Sequence, residues 1–224
     1  MEARLTTLNK QEILKYLGYG GQGLTPDLSA QIDRCAKEVM AAATPRLVYR
    51  EVPVRDGMPE GLTFGGKDIP AMLAGCHTAV LMAVTVGPGI DRLIKRREVT
   101  DPGDALIMDA CGSTAAENVC NNFEADLRQE AEKRGEYLTD RYSPGYGDIP
   151  LEDQVVLCGA LDIGRRIGVT LGSNLLMTPA KSVTAVLGIS REPVVRRAPE
   201  CENCPSFMNC TIRRGGRTCR DIEI

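Results

Sequence analysis

Apolar residues recur at helical spacing in the first part of the chain. After Thr25 and Pro26, apolar side chains return every three or four positions up to residue 43, which is the spacing of one helix face. Threonine is a good N-cap and proline is tolerated in a first turn, so a helix is predicted from about residue 26. A shorter helix is predicted after Asn9, which can cap it, and another is started by Asp68.

Three apolar runs are typical of strands. Residues 46–54, "RLVYREVPV", are rich in β-branched and aromatic side chains, and residues 182–188 form a similar run after a stretch of turn residues. Residues 77–87, "HTAVLMAVTVG", are apolar almost without interruption. Such a run is typical of a strand that is buried on both faces.

Further helices are predicted in the middle and second half of the chain. Residues 90–99 are amphipathic, and residues 102 to about 134 are predicted to form one long helix, because no proline follows its start. Residues 151–168 are predicted to form one more helix that ends near Gly168. The fold class is therefore α+β, with a twisted antiparallel or mixed sheet and several helices including one long helix.

The character of the sequence changes near residue 193. From there to the end the chain is rich in cysteine and basic residues and poor in aliphatic residues. We therefore predict an α+β domain over residues 1–192 and a cysteine-rich C-terminal tail over residues 193–224.

Composition and charge narrow the class of protein. The net charge is −3 and the sequence pI about 5.4, so a basic nucleic-acid-binding surface is not expected. The start of the chain lacks a signal peptide, and no apolar run is long enough to cross a membrane. Nine cysteines without a secretion signal suggest a cytoplasmic protein, in which spaced cysteines more often bind metal than form disulfides.

Four cysteines of the tail have a spacing that suits a metal. Cys201, Cys204, Cys210 and Cys219 follow the pattern C-x2-C-x5-C-x8-C, and four thiolates favour zinc or an iron–sulfur cluster. The spacing matches neither the common zinc ribbon nor the ferredoxin run. A [4Fe-4S] cluster, a structural zinc ion and a metal-free tail therefore all remain open.

The stretch "RYSPGYGDIP", residues 141–150, combines rigid and flexible residues in one turn. Pro144 presets the backbone of the turn, and Gly145 accepts a positive φ and allows close approach of a ligand. Arg141 can hold a carboxylate or phosphate with two donors, and Tyr146 offers a flat face or a hydroxyl. We predict that backbone N–H groups of this turn point at a small anionic ligand with a planar part; the alternative is a structural loop whose arginine forms a surface salt bridge.

One face of the long helix carries small residues and two carboxylates. Asp109 and Glu117 share this face with Gly112, Ser113 and Ala116. Small residues allow something to approach the helix closely, and a carboxylate there suits a cation. The alternative is a helix that packs tightly on the sheet with Glu117 at its solvated edge.

Three segments together resemble the activation domain of cobalamin-dependent methionine synthase. The pattern Arg-x-x-Pro-Gly-Tyr with a later proline is similar to the S-adenosylmethionine loop of that family. Residues 109–117, "DACGSTAAE", resemble its long helix, and residues 177–188, "MTPAKSVTAVLG", resemble a segment that leads into a strand beside the site. The chain is most similar to short stand-alone relatives of that domain.

The resemblance implies a role for each matching residue. Arg141 would hold the ligand carboxylate, Pro144, Gly145 and Tyr146 would form the loop floor, and Glu117 would face the amino or sulfonium end of S-adenosylmethionine. The chain departs from the family after the Gly-Tyr step, where "GDIP" replaces an Ala-Cys-Pro sequence. Asp148 is therefore the first place to expect altered binding. An acidic family residue from the N-terminal part of the domain has no evident counterpart here.

The resemblance also implies partners. The family domain presents S-adenosylmethionine to an oxidised corrinoid, an electron arrives from a reduced carrier, and methyl transfer reactivates the cobalamin. A stand-alone protein would act on a separate corrinoid protein or on a methionine synthase that lacks its own activation domain. The alternatives are a non-catalytic module that docks on a corrinoid protein, and a redox protein that acts through its cysteine tail. No general acid, base or nucleophile is evident, and the single histidine, His77, is interpreted as structural.

Overall fold

A computed structural model describes residues 1–19 and 23–194, in which helices and strands alternate irregularly along the chain. The helices of this part are α1 Lys10–Tyr16, α2 Pro26–Ala42, α3 Asp68–Leu73, α4 Pro88–Thr100, α5 Pro102–Lys133, α6 Gln154–Leu161 and α7 Ile163–Ile167. The strands are β1 Arg46–Arg55, β2 Met58–Pro59, β3 Cys76–Thr85, β4 Tyr137–Leu138, β5 Thr170–Leu171, β6 Met177–Thr178 and β7 Ser182–Ser190.

Five of these strands form one sheet in the order β2-β1-β3-β7-β4. Every pairing in the sheet is antiparallel, and the long strands β1, β3 and β7 occupy its centre. β5 and β6 form a separate small antiparallel pair. The α+β fold class is confirmed, and the sheet is antiparallel rather than mixed.

β3 is buried on both faces, as its apolar run predicts. Because side chains alternate along a strand, Val80 and Met82 face one core, while Ala79 and Leu81 face the other. Helices α1, α2, α4 and α5 cover the first core, and α3, α6 and α7 cover the second. The sheet is thus the middle layer between two layers of helices.

The long helix α5 packs across one face of the sheet. Its N-terminus is capped by Asp101, whose Oδ1 accepts the N–H of Asp104 at 3.0 Å. The predicted helix from residue 102 to about 134 is confirmed. Phe123 on α5 contacts Tyr49 of β1, with ring centroids 5.1 Å apart, so the second half of the helix is fixed against the sheet.

The prediction of one continuous helix over residues 151–168 is wrong. A 3-10 turn at Leu151–Asp153 leads into α6, and Asp162 then separates α6 from α7. Asp162 has φ +49° and ψ +48°, a left-handed conformation that short polar side chains tolerate. The break lets α6 and α7 pack separately on the sheet, with Leu161 and Ile163 buried on either side of it.

The buried carboxylate of Asp104 joins three helices on the face of the sheet that α5 covers. The side chain of Asp104 is almost fully buried, and it accepts hydrogen bonds from Gln31 at 2.9 Å and Arg34 at 2.7 Å. Arg97 of α4 lies 3.8 Å from the same carboxylate and pairs with Glu38 of α2 at 2.7 Å. This network ties the starts of α5 and α4 to α2.

Among the helices of the described part of the chain, none combines the length and the apolar character that a membrane span requires. Within residues 1–19 and 23–194, no group of three or more His, Cys, Asp or Glu side chains is arranged to hold a metal ion.

Candidate functional site

Arg141 lies at the centre of a cluster of polar side chains from α5. Its guanidinium forms ion pairs with Glu117 and Glu124, and its Nη1 donates to Asn121 Oδ1 at 2.9 Å. Glu117, Asn121 and Glu124 are spaced at i, i+4 and i+7, so they lie on one face of α5. The structure thus brings together Arg141 and Glu117, two residues that the sequence placed in the ligand site.

The first helix completes the cluster. Glu12 and Tyr16 of α1 lie close enough to Glu117 and Arg141 to interact with them electrostatically, and Tyr16 lies similarly close to Tyr146 of the loop. The two tyrosines are 52% and 66% exposed, so their rings are accessible to a ligand. We call Glu12, Glu117, Asn121, Glu124 and Arg141, together with Tyr16 and Tyr146, the Arg141 cluster.

The charges of the Arg141 cluster do not balance. Burial by itself would lower the pKa of Arg141, but Glu124 and Glu117 raise that pKa above its ordinary value, so the guanidinium stays charged. Burial raises the pKa of Glu12, and the neighbouring Glu117 carboxylate adds to this shift. Two carboxylates pair with the guanidinium and a third, that of Glu12, lies nearby, which gives the fully ionised cluster a formal charge of −2. The cluster is therefore suited to a ligand with positive charge.

The loop of residues 141–150 is built as a compact turn. Tyr142 exchanges two backbone hydrogen bonds with Val186 of β7, at 2.9 and 2.8 Å. Gly145 has φ +87° and donates its N–H to Ile149 O at 3.0 Å, while Tyr146 donates to Ser143 O at 3.2 Å. The expectation that these N–H groups point at a ligand is therefore wrong for Gly145 and Tyr146, whose N–H groups are used inside the loop.

Pro144 and Tyr146 have different places in the turn. Pro144 is buried, in keeping with a residue that fixes the turn, whereas Gly145 and Tyr146 are exposed. A ligand would therefore meet the Tyr146 ring and the exposed surface of Gly145. Pro144 would contribute only by supporting them.

Asp109 does not join the cluster, although it shares the sequence pattern of Glu117. Its carboxylate pairs with Lys181 Nζ at 2.8 Å, and the same Nζ donates to Ser113 at 3.0 Å. Gly112, between them, lies against Ile90 and Lys181 so closely that a Cβ would be 3.0 Å from Ile90. This half of the small-residue face is thus a packing surface for α4 and the start of β7.

In the described part of the chain, the cysteines are buried in the core and the histidine lies beside polar side chains. Cys35, Cys76, Cys111, Cys120 and Cys158 are buried. Burial raises the pKa of Cys120, which lies close to the Arg141 cluster, to about 12, so its thiol is neutral at physiological pH. His77 Nε2 lies 3.0 Å from Glu136, and its Nδ1 lies 2.9 Å from Thr78 Oγ1. The predicted metal ligands Cys201, Cys204, Cys210 and Cys219 lie outside the described residues, so that site stays a prediction.

Four residues of the cluster were not predicted from the sequence. Asn121 and Glu124 could have been found, because they continue the face of Glu117 at helical spacing. Glu12 and Tyr16 are likewise spaced at i, i+4 on α1. Nothing in the sequence, however, indicates that this short helix lies beside the middle of α5.

Comparison with known proteins gives a structural match only. No protein-family model matches the sequence, and no curated protein matches it. Among solved structures, the chain is similar to the crystal structure of the MetH reactivation domain bound to AdoHcy. The TM-score is 0.60 at 16% sequence identity, and the match covers 97% of this chain and 85% of that chain. At this identity the similarity concerns the fold: this chain is folded like the MetH reactivation domain.

Proposed function

We propose that this protein binds S-adenosylmethionine at the Arg141 cluster and presents it to a corrinoid on a separate protein. The observation that carries the proposal is the acid-rich cluster beside two accessible tyrosine rings. The fold supports it, because the similar MetH reactivation domain has AdoHcy bound. The corrinoid itself, when bound to its partner, supplies the metal chemistry that accepts an electron and a methyl group.

The charges of the cluster suit the amino acid end of this ligand. S-adenosylmethionine carries a sulfonium, an ammonium and a carboxylate group, so its cations complement Glu117, Glu124 and Glu12. In this structure the guanidinium of Arg141 contacts three side chains, those of Glu117, Glu124 and Asn121. On binding, Arg141 would exchange a glutamate for the ligand carboxylate while that glutamate turns to a ligand cation. The ion pairs of the cluster would thus be replaced by ion pairs with the ligand, without leaving a buried charge alone.

The tyrosines suit the planar part of the ligand. Tyr16 and Tyr146 are both exposed, and they belong to different elements of the cluster, α1 and the loop. Aromatic rings bind a flat heterocycle by offset or edge-to-face contact, and an adenine offers such a surface. In this proposal the protein contributes the binding and orientation of the ligand.

A methyl-transfer assay tests the proposal. A cobalamin-loaded methionine synthase fragment without its activation domain is oxidised to Co(II) and mixed with this protein, a chemical reductant and S-adenosylmethionine that carries a labelled methyl group. We expect label on the corrinoid and loss of the Co(II) signal in electron paramagnetic resonance, both dependent on this protein. Transfer at the same rate without the protein, or none with it, would count against the reactivation role.

The cysteine tail adds a second part to the proposal. We infer that Cys201, Cys204, Cys210 and Cys219 bind zinc or a [4Fe-4S] cluster, and a cluster would provide a route for the electron from a reduced carrier. The pattern of four thiols supports this inference. Metal analysis and an absorbance spectrum after anaerobic purification would distinguish the two metals, and a colourless, metal-free protein would reject both.

A further inference from the structure

A six-residue pattern occurs twice in this chain. The sequence Gly-x-x-Asp-Ile-Pro is found at residues 65–70 and again at residues 145–150. The first copy leads into α3, and the second forms the end of the loop that carries Gly145 and Tyr146. The isoleucines of both copies, Ile69 and Ile149, are buried in the same core. The two copies therefore lie side by side, although they are far apart in the sequence.

The two aspartates of the pattern bind each other's backbone. The Asp148 carboxylate accepts the N–H of Lys67 at 2.7 Å and that of Asp68 at 3.0 Å. In return, the Asp68 carboxylate accepts the N–H of Asp148 at 3.2 Å. We call this reciprocal arrangement the Asp68–Asp148 clasp. It also supplies the cap of α3, because Lys67, the residue at the N-cap position, makes no side-chain cap of its own.

Glycines allow the two segments to approach this closely. Gly66 has φ +75°, and a Cβ added there would lie 2.4 Å from Asp148 Oδ1. Gly147 has φ +58°, and a Cβ there would lie 2.1 Å from Asp68 Oδ2. Neither position has room for a larger residue, so both glycines are required by the clasp as well as by their backbone conformation.

The clasp is one of the attachments that hold the loop of residues 141–150. At its start, Tyr142 is fixed to Val186 of β7 by two backbone hydrogen bonds. At its end, Asp148 is fixed to the start of α3. The backbone N–H donors hold the pKa of Asp148 below its ordinary value, so its carboxylate is charged at neutral pH. Between the two attachments, Gly145 and Tyr146 are exposed.

We propose that Asp148 is a positioning residue, which acts through the Asp68–Asp148 clasp to hold the loop of residues 141–150 in the geometry that binds the ligand. This inference rests on the proposed function of the loop. Without the clasp, the loop would populate other conformations, and the apparent affinity for the ligand would fall with the fraction of binding-competent loop. Asp148 itself contributes no ligand contact in this account.

The first test measures the affinity for S-adenosylmethionine by calorimetry. Asp148→Ala is expected to raise the Kd about fivefold, the effect of losing a typical helix N-cap, and Asp148→Asn, which keeps one acceptor oxygen, is expected to raise it less. Gly66→Ala opens the clasp from the other side and should also raise the Kd. An unchanged Kd in both Asp148→Ala and Gly66→Ala would overturn the proposal.

Two matched controls separate the clasp from general effects of substitution. Asp27→Ala removes an exposed aspartate of α2 and should leave the Kd unchanged. Gly61→Ala introduces the same positive-φ strain as Gly66→Ala, at φ +78°, but its Cβ would meet no atom within 4 Å. If Gly61→Ala weakens binding as much as Gly66→Ala, the effect comes from backbone strain and the clasp is rejected.

The second test needs no ligand, so it remains decisive if the wild-type protein does not bind S-adenosylmethionine. Hydrogen exchange is followed at the amides of Gly145 and Ile149, which donate inside the loop, and at amides of β3 as a measure of global stability. In Asp148→Ala and Gly66→Ala we expect faster exchange in the loop and unchanged exchange in β3. Unchanged loop exchange, or equal acceleration in β3, would overturn the proposal; absent binding alone would overturn the proposed function.

Discussion

Replacing Glu117 tests whether this glutamate binds a cation of the ligand or only forms a salt bridge with Arg141. It pairs with Arg141 in the described state, and we propose that it turns to a ligand cation on binding. Glu117→Gln is therefore expected to weaken binding of S-adenosylmethionine about tenfold, the effect of losing one charge-assisted hydrogen bond. Binding of AdoHcy, which lacks the sulfonium charge, should weaken less. Calorimetric titrations with both ligands measure the two effects.

A glutamate on the same helix provides the control for this prediction. Glu130 lies six residues further along α5 from Glu124 and pairs with the exposed Lys133 at 2.7 Å. Glu130→Gln changes the net charge as Glu117→Gln does, but it should leave both affinities unchanged. Equal losses for the two ligands in Glu117→Gln would indicate that Glu117 meets the ammonium group, which both ligands carry, and not the sulfonium.

Three buried thiols are predicted to be chemically inert in the folded protein. Burial raises the pKa of Cys35, Cys111 and Cys120 to about 12, so at pH 8 only about one thiol in ten thousand is ionised. Iodoacetamide should therefore label them only after unfolding in concentrated guanidinium chloride. Peptide mapping by mass spectrometry measures this, and rapid labelling of Cys120 in the folded protein would contradict the prediction.

At the residue scale, the sequence predicted the two residues at the centre of the Arg141 cluster but not those around them. Arg141 and Glu117 were found because their motifs resemble a known family, and helical spacing extends the α5 face to Glu124. The role of Asp148 could only be seen in three dimensions, because its hydrogen-bond partners lie some 80 residues earlier. Glu12 was missed for a similar reason, since no local pattern shows where α1 packs.

At the element scale, Asp104 provides a test of how the helices are joined. Burial alone would raise the pKa of Asp104, but hydrogen bonds from Gln31 and Arg34 outweigh it and lower the pKa. Asp104→Asn removes the charge at the junction of α2, α4 and α5. We expect it to lower the free energy of unfolding at pH 7 by about 1–3 kcal/mol, because a buried charge-assisted hydrogen bond is lost.

The same network predicts a pH dependence. Because the pKa of Asp104 is lowered on folding, its stabilisation is complete above the unfolded-state pKa, about 3.9. That stabilisation is lost as the pH falls through the folded-state pKa. The difference in unfolding free energy between wild type and Asp104→Asn should therefore narrow below about pH 4. Urea titrations between pH 3 and pH 7 measure it, with Asp27→Asn as an exposed control, and a constant difference would contradict the assignment.

The strength of the sequence signal also explains which elements were predicted. β3 and α5 carry long, uniform patterns, and both were predicted close to their observed bounds. The break at Asp162 was missed, because the apolar pattern runs through it and only the backbone conformation reveals it. β2 and β4 are two residues long, which is too short for any periodicity to appear.

At the scale of the whole molecule, ligand binding and the cysteine tail should be separable. The residues of the Arg141 cluster lie between positions 12 and 146, so none of them belongs to the predicted tail. In the full-length protein, Cys204→Ser is expected to lower the content of zinc or iron and to leave the Kd for S-adenosylmethionine unchanged. Elemental analysis together with calorimetry measures both, and a parallel loss of metal and affinity would contradict this separation.

The sequence also predicted the class of the fold but not its assembly. Alternating apolar runs and helical stretches were enough to predict an α+β domain. The order β2-β1-β3-β7-β4 depends on contacts between distant segments, such as Thr85 of β3 beside Ser182 of β7, and local patterns do not determine these. The resemblance over residues 109–117, 141–150 and 177–188 identified the fold that the structural comparison then supported.

The most direct test of the account is a calorimetric titration of the full-length protein with S-adenosylmethionine, repeated with Arg141→Ala and with Arg92→Ala, an exposed arginine of α4. We predict one ligand per wild-type chain, a Kd at least about tenfold higher in Arg141→Ala because a charge-assisted contact to the ligand carboxylate is lost, and wild-type binding in Arg92→Ala. Absence of binding to the wild-type protein, or equal binding by wild type and Arg141→Ala, would contradict the assignment of this site.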